Sequence, residues 1–248
     1  MDTASLLLLL FIALGSYIQA TTGFAFGLIV VSGVSALGLA PIEVTAFVVS
    51  ALSLTNAAVG LYGGQWREMN FRAFGWMIVS CLPTTLFGVW LLGYLGDNGV
   101  NLLKLCLGGF IVVSSLVMMA QSHRRRAASS SFAFASSGVL AGVMGGMFAT
   151  FGPPLTFMMY RQPDSLAKIR ATLLSIFCCT AAIRVMFVSA SQPIEIQTWW
   201  LCLIGFPVVV VSSLMARRFP LPLSSRAMRL FAFSLLLFSG GSLIWQAV

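Results

Sequence analysis

The placement of the charged residues constrains this chain more than any other feature. Its 248 residues hold 14 Lys and Arg but only six Asp and Glu, and nearly all of them lie at the ends of long apolar runs. Twelve of the basic residues fall in four short segments: Arg67 and Arg72, Arg124 to Arg126, Arg161 with Lys168 and Arg170, and Arg217 through Arg229. The other gaps between runs hold Glu43, Asp97 and Glu195. Hydrophobic residues make up 59% of the chain and charged residues 8%, with a mean hydropathy of +0.98. A water-soluble domain carries roughly 25% charged residues, so lipid must solvate most of this surface. A transmembrane barrel would show alternating segments of about ten residues. The runs here are continuous and approach the roughly 20 residues that a helix needs to cross the hydrocarbon layer. The expected fold is an all-α polytopic membrane protein.

Several function classes drop out at once. The net charge of +8 has no basic helix or aromatic-basic patch to accompany it, as a nucleic-acid surface would. It follows instead from the gathering of Lys and Arg in cytoplasmic loops. Residues 4–14 lack a basic lead-in and their apolar pattern continues past Gly23, so they are expected in the mature chain rather than in a cleaved signal. The five cysteines lie within apolar runs, without the paired spacing of a zinc site or disulfide framework. His123, the one histidine, sits in the basic linker. With no P-loop and no serine–histidine–acid set, the chain is expected not to be an enzyme and to need no cofactor.

The apolar runs span 4–38, 42–62, 71–94, 100–120, 132–160, 166–190, 197–216 and 227–247. With the basic segments placed in the cytoplasm, run 132–160 starts and ends on the same side. It must therefore enter and return as a helical hairpin broken near its glycines, Gly145-Gly146 and Gly152-Pro153-Pro154. Run 4–38 is too long for one crossing and is interrupted at Gln19-Ala-Thr-Thr-Gly23, so it is expected to form the same device from outside, with an external N-terminus. Each half then comprises a broken hairpin plus three crossings, and three is odd. Residues 1–120 and 132–248 become two inverted repeats joined by a basic cytoplasmic linker, 121–131.

The breaks nominate the site. A helix starting at Gly152-Pro153-Pro154 in mid-membrane aims its dipole at a cavity, a ready anion site, with Thr156 and Gly146 beside it. The alternative is a structural kink. In the first hairpin the counterpart is Gln19, Thr21, Thr22, Gly23 and Gly27: the hydroxyls and the side-chain amide donate to an oxyanion, unless Thr21 and Thr22 merely bond back to helix carbonyls. Arg184 lies well inside its run, where charges mark pathways or paired sites, unless it snorkels outward. Asn56, with Ser53 and Thr55, and Ser175 with Thr180, either contact substrate or link helices. Glu43 follows Pro41 at a helix start, where a carboxylate suits the dipole.

Gly15 to Gly27 with the following Leu-Ile-Val-Val, Pro41, Thr45, Gly142, Gly145-Gly146, Gly152-Pro153-Pro154 and Ala171-Thr172 together resemble the sulfite exporter TauE/SafE family of bacterial membrane permeases. The resemblance spans the whole chain. It implies a multi-pass protein of the bacterial cytoplasmic membrane that carries a small sulfur-containing anion, such as sulfite or an organosulfonate. The expected function is secondary transport by alternating access, with a proton or sodium ion as the coupling ion if there is one. An anion channel and a non-transporting membrane scaffold or subunit are the alternatives. Homo-oligomer formation stays open.

Overall fold

The computed structural model describes residues 3–120, 128–191 and 193–219, with the single positions 237, 241, 244 and 245. His123, Arg124 to Arg126, the Pro220 to Ser225 turn, Arg226, Arg229 and almost all of run 227–247 lie outside the described residues, as do the side chains of Asp97 and Lys104. Among the described residues the secondary structure is helical throughout: α1 Thr3–Thr22, α2 Phe26–Ala36, α3 Ile42–Leu61, a 3-10 turn at Gln65–Glu68, α4 Phe71–Asn98, α5 Val100–Ala120, α6 Ser131–Phe148, α7 Gly152–Tyr160, α8 Leu166–Ser191 and α9 Ile196–Arg218. Five of these, α3, α4, α6, α8 and α9, are long and apolar enough to span a membrane. The chain is a multi-pass helical membrane protein.

Both suspect runs are broken into antiparallel arms, but the arms are unequal. At about 1.5 Å per residue, α1 and α6 reach roughly 30 and 27 Å, whereas α2 and α7 reach only about 16 and 13 Å. The second break falls at Ala149-Thr150-Phe151, later than the Gly145-Gly146 pair. Three residues at the two breaks adopt left-handed backbone: Gly23 at φ 85°, Ala25 at φ 86° and Ala149 at φ 53°. That conformation is unfavourable for alanine, so tertiary packing must hold both turns.

Gly145 and Gly146 serve packing. Gly138, Gly142 and Gly146 recur at four-residue spacing along α6 and let it lie directly on α4, where a Cβ would strike Met77, Cys81 and Thr85 carbonyl oxygens in turn. Gly88 returns the favour from α4 against the Val143 carbonyl. Small residues that let backbones approach are the usual glue between helices in lipid. A Cβ on Gly145 would meet the Phe151 ring, which folds back over α6 from the break. The hydroxyls of Ser80, Thr84 and Thr85 bond to carbonyls one turn earlier in α4, so this apolar helix leaves them no unmet donor.

The pairings come in matched sets. α6 lies on α4 as α1 lies on α9; α8 touches α4 as α3 touches α9; and α3 and α8 pack on each other at the centre. α4 and α9 each carry a proline in mid-helix, Pro83 and Pro207.

Charge is segregated along the bundle. Arg67, Arg72, Arg161, Lys168, Arg170, Arg217 and Arg218 occupy helix ends that hydrogen bonds tie to one another. The Asn70 side-chain amide donates to Asp164 (2.8 Å), its N–H to Thr172 Oγ1 (2.8 Å), Arg72 to Ser131 (3.2 Å), Tyr160 to the Thr22 carbonyl (2.6 Å) and Tyr17 to that of Phe219 (2.6 Å). Glu43 and Glu195 begin α3 and α9 at the opposite end.

Candidate functional site

The two break segments meet inside the bundle. Gly152 sits beside Phe24 and Ala25 of the first turn, and Gly27 lies directly against the Ala149 carbonyl of the second. Between them is a cavity of about 20 Å³, room for one water-sized group. One wall is Ala25 to Leu28, the facing wall Ala149 to Gly152, and Gln19, Ser53 and Phe177 close the sides.

The lining residues include several unspent donors. The first intrahelical bond of α2 runs from the Ile29 N–H to the Ala25 carbonyl (3.0 Å). The N–H groups of Phe26, Gly27 and Leu28 therefore have no acceptor within their own helix, and all three residues line the cavity. Thr150 is 2% exposed, and its hydroxyl is buried without a hydrogen-bond partner among the described residues. Such a hydroxyl costs about 1–3 kcal/mol unless a ligand or water meets it.

Gln19 is held by a buried polar chain. The Asn56 amide donates to Gln19 Oε1 (3.3 Å) and to the Ser16 carbonyl (3.3 Å), while Asn56 Oδ1 accepts from Ser213 (2.7 Å). Ser16 in turn donates to the Val209 carbonyl (3.1 Å). With its oxygen held by Asn56, the Gln19 NH2 group is a donor that Gln19 can offer a ligand.

Arg184 is 1% exposed and points into the bundle rather than snorkelling. Its Nε donates to the Gly146 carbonyl (3.0 Å), and its Nη1 to the Ala46 carbonyl (2.9 Å) and Ser50 Oγ (3.0 Å). Gly146 lies in the last turn of α6, where carbonyls lack an intrahelical donor, so the guanidinium caps that helix and sits at the negative end of its dipole. Arg184 thereby joins α8 to α3 and to the arm carrying Thr150.

The chain's kinship follows the same layout. The family model described as Sulfite exporter TauE/SafE matches residues 7–243. The chain belongs to the sulfite exporter TauE/SafE family. It is 36% identical over 234 residues, 94% of this chain and 91% of the relative, to a Cupriavidus necator protein named "Probable sulfite/organosulfonate exporter TauE". It is 29% identical over 195 residues, 75% and 79% of the two chains, to the "Probable inner membrane transporter protein TsaS" of Comamonas testosteroni. No solved structure matches. Membership in an exporter family makes the chain a membrane transporter rather than an enzyme.

Within this TauE/SafE chain the sequence candidates take distinct positions. Gln19 and Gly152 line the cavity, as does Ser53, while Asn56 stands behind Gln19. Thr21 donates to the Tyr17 and Ile18 carbonyls, and Thr22 to those of Ile18 and Phe24, so both hydroxyls stabilise the first break rather than face the cavity. Gly23 makes the turn itself. Pro153 and Pro154 start α7 but carry no N–H, which leaves Gly152 as the donor among the helix's first three positions. The stronger N-terminal donor set is that of α2. Thr156 is fully buried and its hydroxyl has no partner among the described residues. Gly146 serves the α4 contact and presents its carbonyl to Arg184. Thr55 and Thr180 bond back along their own helices. Thr150 and the amides of Phe26 and Leu28 were not singled out from sequence, whereas Gly27 between them belonged to the first hairpin's candidate set. A hydroxyl one residue from a helix break was the available signal for the first.

Proposed function

We propose that this transporter is a secondary carrier of the bacterial cytoplasmic membrane that moves a small sulfur-containing anion, sulfite or an organosulfonate, by alternating access. The observation that carries the reading is the cavity between the two break segments, whose lining residues include Phe26, Gly27 and Leu28, with N–H groups that have no helical acceptor, and Thr150, with an unpartnered hydroxyl. Converging donors without an acidic residue among them select an acceptor-rich anion. The Cupriavidus necator relative is named for sulfite and organosulfonate and the Comamonas testosteroni relative for the inner membrane, which supports this substrate class and location.

The matched helix pairings, the paired breaks and the paired mid-helix prolines support an inverted repeat of residues 1–120 and 132–248 around the 121–131 linker. The basic end of the bundle is then cytoplasmic. An oxyanion of four heavy atoms exceeds the room present, so loading requires the two break segments to part. Their left-handed alanines sit where such a movement would hinge. The three large rings of Phe26, Phe151 and Phe177 around so small a space favour a carrier over an open pore.

In proteoliposomes, Gly152→Leu is expected to fill the cavity and abolish saturable sulfite flux. Thr150→Val should raise the half-saturating concentration roughly tenfold, the effect of one lost charge-assisted hydrogen bond. Wild-type flux in a folded Gly152→Leu protein would sink the cavity reading.

All six carboxylates lie at run ends, so no carboxylate relay crosses the membrane. The membrane potential alone expels an anion from a negative interior, with about 2.3 kcal/mol per charge per 100 mV. Efflux should therefore accelerate when a valinomycin-imposed potential makes the interior more negative. Indifference to potential, combined with dependence on a proton or sodium gradient, would show ion coupling instead.

A further inference from the structure

We propose that Arg170 forms a second oxyanion site, on the approach to the cavity from the basic end, filled by a sulfur oxyanion or by the phosphate of an anionic lipid. It rests on the reading that the central cavity takes an anion, and it concerns a residue that the cavity does not include.

Arg170 lies in the second turn of α8, directly behind the first break. A Cβ on Gly23 would lie 3.3 Å from both its Cα and its Cγ. The turn that begins at Gly23 thus rests on this arginine, and two residues later the same turn becomes cavity wall. Two of the three guanidinium nitrogens of Arg170, Nε and Nη2, are closed off from solvent and have no hydrogen-bond partner among the described residues. A second cation stands at the same level. Arg217 donates to the Val59 carbonyl (3.1 Å), and the next residue, Gly60, packs on Leu174, one turn beyond Arg170.

The chain has no acid to spare for this group. Asp164 is taken by Lys168 (3.3 Å) and Asn70 (2.8 Å). Glu43, Asp97 and Glu195 belong to the opposite helix ends, and Glu68 is an exposed side chain of the 3-10 turn. Asp2 precedes α1 in the sequence, ahead of the whole 20-residue helix that leads to the first break. The stretches outside the described residues contain no other Asp or Glu. Arg170 is half-buried, and its two closed-off nitrogens meet neither a carboxylate nor, as the guanidinium of Arg184 does, backbone carbonyls among the described residues, so an anion from outside the chain is the complement that fits them. The planar fork of Arg matches two oxygens of a sulfonate, sulfite or phosphate group. An anion held there stands one turn of backbone from the cavity, in position to enter when the first break lifts off α8.

The test uses the whole protein in nanodiscs of phosphatidylcholine, with and without phosphatidylglycerol, and melting temperature against sodium sulfite or methanesulfonate. Arg170→Met keeps the length and removes the unpaired charge. It is expected to melt at or above the wild type without added anion, while the sulfite concentration needed for stabilisation rises roughly tenfold. If the occupant is the lipid phosphate, phosphatidylglycerol rather than sulfite stabilises the wild type, and Arg170→Met removes that response. A Met variant that melts well below the wild type without anion shows a structural arginine and overturns the proposal. So does an unchanged response to sulfite, methanesulfonate and phosphatidylglycerol alike. Thr150→Val separates the two sites. Loss of the sulfite response there, with Arg170→Met unaffected, leaves the cavity and eliminates the second site; the converse leaves Arg170 and eliminates the cavity.

Discussion

Gly27→Ala, a change of one methyl group, is expected to cut transport at least tenfold. The added Cβ would lie well inside van der Waals contact of the Ala149 carbonyl oxygen, at the place where the two break segments touch. A flexible side chain could swing away, but a backbone oxygen moves only if the break segment that carries it shifts away from α2. Overpacking in a close-packed interior costs about 1–3 kcal/mol and more against backbone, a large share of a typical 5–15 kcal/mol stability. The break segments should separate, with a lower melting temperature and flux reduced at least tenfold, on the order of the same energy. Gly152→Ala is the matched control. Its Cβ would find nothing nearer than Phe24 at 3.8 Å, and flux should stay close to the wild type. Equal behaviour of the two alanines would show that the contact between the breaks carries no weight.

Arg184→Met is expected to have the other large effect. It strips the guanidinium from the Gly146 and Ala46 carbonyls and from Ser50. Ala46 keeps the hydroxyl of Ser50 as a donor (2.8 Å), but Gly146 is left in the last turn of α6 with no donor from its own helix. An orphaned buried acceptor costs about 1–3 kcal/mol, and the α3–α6–α8 junction loses its tie. The end of α6 carries Thr150 into the cavity, so flux should fall together with melting temperature. Arg184→Lys keeps the charge but lacks the fork to reach two helices, and should recover only part of either property. A Met variant with wild-type flux and melting would remove Arg184 from any part in holding the second break.

Much of the architecture could be read along the chain because the relevant physics is local. Apolar runs near 20 residues, basic residues at alternate gaps and glycine–proline clusters within runs 4–38 and 132–160 all act through neighbours in sequence. They placed the helices within a residue or two at α3, α5 and α8. The second break was harder to place, because Gly145 and Gly146 mark close packing on α4 and Phe151 rather than a turn. Helix-breaking and helix-packing glycines look alike until the neighbouring helix is known.

The site candidates divide along the same line. Thr21 and Thr22 seemed equivalent donors in the sequence, yet hydroxyls in a helix have a carbonyl one turn back, and both take it. Thr150, just past the end of α6, has no such partner and stays unpaired beside the cavity. Arg184 could be recognised as a buried charge, but its role as the cap of another helix depends on a contact across 38 residues.

The sequence by itself determined that the chain lives in lipid, which runs are long enough to cross it, that two of its runs must break and which helix ends are basic. These follow from transfer energies and backbone chemistry that each segment carries alone. The tertiary structure decided which donors remain unspent once the helices pack. A hydrogen bond uses up its donor, and only the folded arrangement shows that the amides of Phe26 to Leu28, the Thr150 hydroxyl and two nitrogens of Arg170 are left over.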